Sequence, residues 1–386
     1  MIGGERFGAV GNQVSLVYFS PVPWHSFAQR PHHFVRWYHH RTDGRVIWID
    51  PYPTRLPAWS DLKRPVAEPA GVAVQTPPWL TVRRVPAVPV EPIPGLNRIN
   101  KLLWQRLRDD IVQTMIGDAD ARVVVGKPSL IALSVLDALP AVQSLYDAMD
   151  DFPAFYRGLS QLSMARREAC VVQRVGRVLV SSTGIEARLR PVRSDVIRAL
   201  NACDALSLPD IPNHQRQLAE PVLGYIGTMG SWFDWSWVRR LAEARPGYRF
   251  RLIGPLFVQP SCALPKNVAI LPPIEHSAAM QTLLQFSVGL IPFRRNVLTD
   301  SVDPIKYYEY RGAGLPVLST AFGEMRLRSG ASGVWLGEGF DDLGSLADAA
   351  LCFVADRDSV LQFRKENDWR ARFDTVLGDW FSGQPQ

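Results

Sequence analysis

The stretch DPIKYYEYRGAGLPVLST, residues 303–320, sets a lysine and a glutamate one helical turn apart at the start of a short helix. Residues at i and i+3 share a helix face, so Lys306 and Glu309 project together. A cation near the positive end of a helix suits an anion such as phosphate, which the helix N-terminus also attracts. A carboxylate beside it can take the two vicinal hydroxyls of a ribose by bidentate hydrogen bonding. The same spacing also fits a surface ion pair worth roughly a few tenths of a kcal/mol. Asp303 reads as the helix cap and Pro304 as a first-turn residue, with Gly312 and Gly314 as stops. Pro316-Val317-Leu318 then reads as a buried strand.

Further stretches carry groups of the same kind. In GYIGTMGSWFDW, residues 224–235, Gly227, Thr228 and Gly230 let backbone N–H groups approach a phosphate, although strand-to-helix turns also use glycine for conformation alone. SVGLIPF is followed by Arg294, Arg295 and Asn296 and a polar loop through Asp300. If these strands are neighbours, two arginines, Lys306 and a helix N-terminus converge near Gly227 on a patch the size of a pyrophosphate. In the first half, LYDAMDDFPAF closes a strand with Asp147, Asp150 and Asp151. One of these aspartates could orient or deprotonate a hydroxyl, and Asp150 or Asp151 could equally cap a helix. The pairs His32-His33 and His39-His40 point apart, so no metal is expected.

Short apolar runs alternating with helix-period segments are needed to place such groups, and that is the signature of parallel α/β architecture. The expected strands are 14–19, 45–50, 122–126, 144–149 and 177–182, then 222–228, 249–254, 267–271, 287–293, 316–320 and 333–337. Helices are expected over 236–244, 277–286 and 342–355. Residues 51–96 are rich in proline and read as an extended excursion, and 203–220 as an interdomain linker. The 386 residues suffice for two domains.

A net charge of +6 fits an anionic ligand, an anionic membrane or nucleic acid without choosing among them. The four cysteines, Cys170, Cys203, Cys262 and Cys352, form no CxxC pair and read as core residues in a reducing compartment. The N-terminus MIGGERFGAVGNQ lacks the pattern of a signal peptide, and no apolar stretch reaches the roughly 20 residues of a membrane span. A cytoplasmic protein is expected. The segment RLRDDIVQTMI and Arg166, Arg167, Arg174 and Arg177 give the first half basic faces, either solvated or docked on anionic lipid.

DPIKYYEYRGAGLPVLST resembles the donor-site segment of nucleotide-sugar glycosyltransferases with the GT-B fold, in the broad family-4-like group. GYIGTMGSWFDWSWV, LPKNVAILPPIEHSAAM and SVGLIPF are similar, in order, to the segments that precede it there, so the resemblance spans about 100 residues. PWHSFAQRPHHFVRWY is similar to the Trp…Gln-Arg-Pro-His loop of a subgroup linked to surface-polysaccharide and teichuronic-acid assembly. Many relatives carry Glu-x7-Glu, whose first glutamate falls on Ser301 here, with Asp303 close enough to substitute. NACD, at 201–204, is an approximate match to the loop that ends the first domain in that group.

The resemblance implies two Rossmann-like domains facing across a cleft: residues 1–205 for acceptor, 217–365 for donor, and 366–386 as a helix returning to the first domain. It implies transfer of a sugar from a UDP- or GDP-linked donor to the hydroxyl of a glycan or lipid-linked glycan, in cell-surface glycan assembly. Donor ligands would be Gly227, Thr228, Arg294, Asp303, Lys306 and Glu309. Asp147, Asp150 and Lys306 would serve catalysis, and Trp24, Gln29, Arg30 and His32 would meet the acceptor. No metal or other cofactor is expected. The site would be cytoplasmic, with peripheral contact to the inner face of the plasma membrane. A nucleotide-sugar epimerase of the same fold is the alternative. A basic nucleic-acid-binding protein is a further one, without an RRM, helix-turn-helix or zinc signature, and a nicotinamide dehydrogenase lacks GxGxxG.

Overall fold

The computed structural model describes residues 14–54, 76–93, 95–118, 120–211, 220–339 and 341–381. The N-terminal stretch, the middle of the proline-rich stretch and residues 212–219 of the expected linker lie outside the described residues.

The chain runs β1 (Val14–Phe19), α1 (Arg30–Thr42), β2 (Arg45–Ile49), β3 (Leu80–Arg83), α2 (Asn97–Met115), β4 (Arg122–Val125), α3 (Leu130–Ala138), β5 (Gln143–Ala148), α4 (Gly158–Arg174), β6 (Arg177–Val180), α5 (Thr183–Leu189) and β7 (Ile197–Arg198). It continues through β8 (Val222–Ile226), α6 (Trp235–Ala244), β9 (Arg249–Ile253), β10 (Val268–Leu271), α7 (His276–Thr282), β11 (Val288–Ile291), α8 (Ile305–Gly312), β12 (Val317–Ser319), β13 (Val334–Leu336), α9 (Leu343–Leu351), α10 (Arg357–Glu366) and α11 (Trp369–Leu377). One sheet has the order β3-β2-β1-β4-β5-β6-β7 and the other β10-β9-β8-β11-β12-β13. The strand pairs are parallel. Leu16, Val17, Val123, Val124, Leu223, Leu290 and Ile291 have no exposed surface, which explains why these strands read as continuous apolar runs and not as alternating ones.

Strand addition reverses direction between β1 and β4 in one sheet and between β8 and β11 in the other. Open parallel sheets bind ligands at the carboxyl ends of the strands beside such a reversal. The chain divides into two compact units: residues 1–26, 35–147 and 158–177, and residues 27–34, 148–157 and 178–386.

The structure departs from the sequence expectations at several points. β3 lies inside the proline-rich stretch, pairing with β2 from Val46 to Ile49. Proline stops just short of it, leaving Leu80–Arg83 with the N–H groups a ladder requires. The helix expected over 277–286 ends at Thr282 and tightens to a 3₁₀ turn over Leu283–Gln285. The C-terminal tail is broken at Asn367, where Asp368 caps α11 by accepting from Arg370 N–H, so α10 and α11 are separate helices. Only Cys203 of the four free cysteines is buried, and Cys352 is exposed. Burial pushes the Cys203 thiol up to about 12. Arg167 is also not a surface residue, because it pairs inside with Glu91 at 3.0 Å.

Candidate functional site

α8 is held at the β8/β11 reversal by aromatic packing. Tyr310 accepts a hydrogen bond from Ile226 N–H at 3.1 Å, and its ring covers Gly289 of β11. A Cβ at Gly289 would stand 2.3 Å from that ring, so only glycine lets the helix come this close. Gly314, with φ +75°, ends the helix as the sequence suggested.

That seating brings Lys306 onto the end of β8. A Cβ on Gly227 would lie 2.4 Å from Lys306 Cε and 2.6 Å from Nζ, at a backbone φ of +149° that itself favours glycine. The ammonium also lies 5.4 Å from the centre of the Tyr225 ring. Burial holds the Lys306 pKa below its usual value, opposed in part by the charge of Glu309. No carboxylate among the described residues lies within ion-pair distance of Lys306, Glu309's included. The surface-pair reading of Lys306 and Glu309 therefore fails. Gly227 N–H is spent on Ile253 O at 2.8 Å, and Thr228 O accepts from Tyr225 Oη. Arg294, three residues after the end of β11, is exposed.

Glu309 lines an open pocket with Gln29, His33, Asp204, His276 and Trp369. Gln29 and Glu309, expected at acceptor and donor respectively, thus share one pocket. Asp204 closes the NACD match and His276 lies in the LPKNVAILPPIEHSAAM match, but neither was singled out as a site residue.

Asp303 is neither a cap nor open to a ligand. The position before α8 is Pro304, with no side-chain cap. The Asp303 carboxylate is fully buried, accepting from Asn201 N–H at 2.7 Å and Tyr308 O–H at 2.9 Å and pairing with Arg328 at 2.6 Å. Asn201 returns a bond to Asp303 O at 2.7 Å. Both carboxylate oxygens are used. Ser301, at the other candidate position, accepts from Ser182 Oγ through its carbonyl.

The Gln-Arg-Pro-His loop is likewise interior. Arg30 has no exposed surface, donates to Ala199 O at 2.7 Å, and lies over the Phe373 and Trp369 rings. His32 is buried and accepts from Gln29 N–H, and His33 stacks on Trp369 at 5.3 Å. Trp24 is buried, its ring edge-on to Trp48. Of Trp24, Gln29, Arg30 and His32, only Gln29 presents a side chain to a cavity. A buried side chain has no surface with which to meet an acceptor, so the other three are corrected to scaffold. Asp147 is also fully buried, with Tyr18 Oη at a long 3.4 Å, whereas Asp150 is half-buried. Asp151 precedes a 3₁₀ turn without capping it and pairs with Arg188 at 3.4 Å.

No family model matches the chain. Sucrose-phosphate synthase from Thermosynechococcus elongatus superposes with a TM-score of 0.63 at 14% identity, over 96% of this chain and 100% of that one. Anabaena HepE, in complex with UDP and glucose, gives 0.63 at 13% identity, over 96% and 100%. AviGT4, a glycosyltransferase involved in avilamycin A biosynthesis, gives 0.58 at 12% identity, over 96% and 99%. The fold is GT-B. In sequence, 105 residues are 27% identical to a Bacillus subtilis (strain 168) protein classed as the teichuronic acid biosynthesis glycosyltransferase TuaH. The match spans about a quarter of each protein, 26% of this chain and 26% of that one.

Proposed function

We propose that this protein is a glycosyltransferase that moves a sugar from a UDP- or GDP-linked donor to a hydroxyl of a glycan or lipid-linked glycan, in cell-surface glycan assembly. The observation that carries the reading is Lys306: a half-buried ammonium, its pKa held down by burial, with no carboxylate among the described residues within ion-pair distance, set against Gly227 at a sheet reversal. Keeping a bare charge there costs stability, and a diphosphate would offset that cost. Lys306, Arg294 and the Thr228 amide would meet the charge that develops as the nucleoside diphosphate leaves, and Glu309 would hold the ribose hydroxyls. Asp150 is the remaining candidate to orient the acceptor hydroxyl. This scheme uses no metal. The UDP and glucose bound by Anabaena HepE support the donor class.

The proposal includes a cytoplasmic enzyme docked on an anionic membrane. No helix among the described residues is long and apolar enough to cross a bilayer. α2 instead turns Asn100, Trp104, Ile111 and Met115 inward. Leu96, Ile99, Leu102 and Leu103 are left exposed, Leu102 by 74%, beside Arg98, Lys101 and Arg106. Apolar side chains flanked by one sign of charge suit an interface of anionic headgroups.

Thermal unfolding with UDP, GDP and their sugars tests the donor, since a ligand at 100 Kd adds about 2.7 kcal/mol. Release of nucleoside diphosphate only when acceptor is present separates transfer from epimerisation. A folded protein stabilised by no nucleotide would sink the reading. Binding to phosphatidylserine vesicles that is unchanged by Leu102→Glu would remove the membrane part.

A further inference from the structure

The β1/β4 reversal carries a second, open pocket that the donor chemistry leaves unused. It opens at the carboxyl ends of β1 and β2 and the start of α3, and is lined by Phe19, Asp50, Lys127 and Ser129 among others.

Asp50 is the unusual member. It is 9% exposed, and Oδ1 accepts from Trp24 N–H at 2.9 Å and Trp48 Nε1–H at 3.0 Å. Its other oxygen has no partner among the described residues, yet it is not among the sealed, unsatisfied polar atoms, so it meets the pocket. A carboxylate this buried normally has both oxygens bonded, and an oxygen left open is set for a donor from outside the chain. Lys127 is half-buried on the same wall, with no carboxylate among the described residues within ion-pair distance.

Glu91, whose carboxyl feels the Lys127 charge, has closer partners. Glu91 pairs with Arg167 at 3.0 Å and accepts from Leu130 N–H at 3.3 Å. Ser129 Oγ accepts from Ala132 N–H at 3.3 Å, so the N-terminus of α3 is capped from within and is not the anion site. What remains for a ligand is a hydrogen-bond acceptor on Asp50 and a positive charge on Lys127.

We infer that this pocket takes an acidic sugar of the acceptor, with a ring hydroxyl donating to Asp50 and a carboxylate or phosphate of the same residue meeting Lys127. The inference rests on the glycosyltransferase reading and adds the class of acceptor. Asp50 and Lys127 are positioning residues here.

The test uses the full chain and three probes: p-nitrophenyl β-D-glucuronide, glucose 1-phosphate and the neutral p-nitrophenyl β-D-glucoside. Each is titrated by calorimetry into wild type, Asp50→Asn and Lys127→Met, with UDP as a control on the same samples. Asparagine keeps the acceptor used by Trp24 and Trp48 but turns a donor toward the cavity. Asp50→Asn should therefore weaken all three probes roughly tenfold, at unchanged melting temperature and UDP affinity. Lys127→Met should abolish the preference for an acidic probe over the neutral one. Preference for glucuronide or for glucose 1-phosphate identifies the acid as carboxylate or phosphate. A neutral glucoside that binds wild type as well as both acidic probes, or binding of all probes untouched by Asp50→Asn, overturns the inference. Loss of UDP binding in wild type, with these preferences intact, would instead count against the donor reading alone.

Discussion

Arg30 and Asp303 on one side, and Lys306 and Glu309 on the other, are charged side chains at or near the starts of helices, and both sets stood out in the sequence. The first set is bonded by protein: Arg30 Nη1 donates to Ala199 O with the guanidinium over two rings, and Asp303 is held by Asn201, Tyr308 and Arg328. The second set is not. Lys306 is half-buried, its pKa held down by burial, with no carboxylate among the described residues within ion-pair distance, and Glu309 faces a pocket. Charges bonded from within hold segments distant in sequence together, whereas a charge stripped of water and left without a partner waits for a ligand.

The largest effect should come from the satisfied set. Asp303→Ala leaves the buried Arg328 guanidinium uncompensated and should lower unfolding free energy by about 3–5 kcal/mol. Urea denaturation measures that loss, and UDP affinity of the folded fraction should hold. A stable Asp303→Ala protein that no longer binds UDP would reverse the comparison.

Lys306→Ala should do the opposite. Turnover should fall by about 10²–10³, the effect of deleting one preorganised group facing developing charge, while melting temperature stays level or rises. A steep loss of stability would make Lys306 scaffold. Next in size, Glu309→Gln should weaken UDP roughly 10- to 150-fold, the worth of charge-assisted hydrogen bonds, with little change in unfolding. Unchanged affinity with lost stability would move Glu309 to the satisfied set.

The smallest effect is on pH. The folded Lys306 pKa is below its ordinary 10.5, so the unfolded chain binds more protons between the two values. This group's contribution to stability therefore rises with pH across that window. UDP, which needs the ammonium, should bind more weakly over the same window. The trend should vanish in Lys306→Ala, and its persistence there would assign it to another group.

Much of this was legible in the chain. Apolar runs located the strands of both sheets except β3 and β7, because a parallel strand buried on both faces must be apolar throughout. The i, i+3 pairing of Lys306 and Glu309, and the glycines that let a helix reach β8 and β11, were also local matters of spacing and sterics. What sequence could not separate was a charge that serves the fold from one that serves a ligand. Asp303 resembled a cap because capping is local, but its partners Asn201 and Arg328 are 102 and 25 residues away. Trp24 and Arg30 matched a family motif, yet a motif records residue types and not which of them is covered. Asp50 had no motif at all. Its open oxygen is created by Trp24 and Trp48 occupying the other one, an arrangement set by how strands and loops meet in space. Periodicity and turn chemistry act over a few residues and are written in order along the chain, whereas desolvation and hydrogen-bond satisfaction depend on neighbours that only folding brings together.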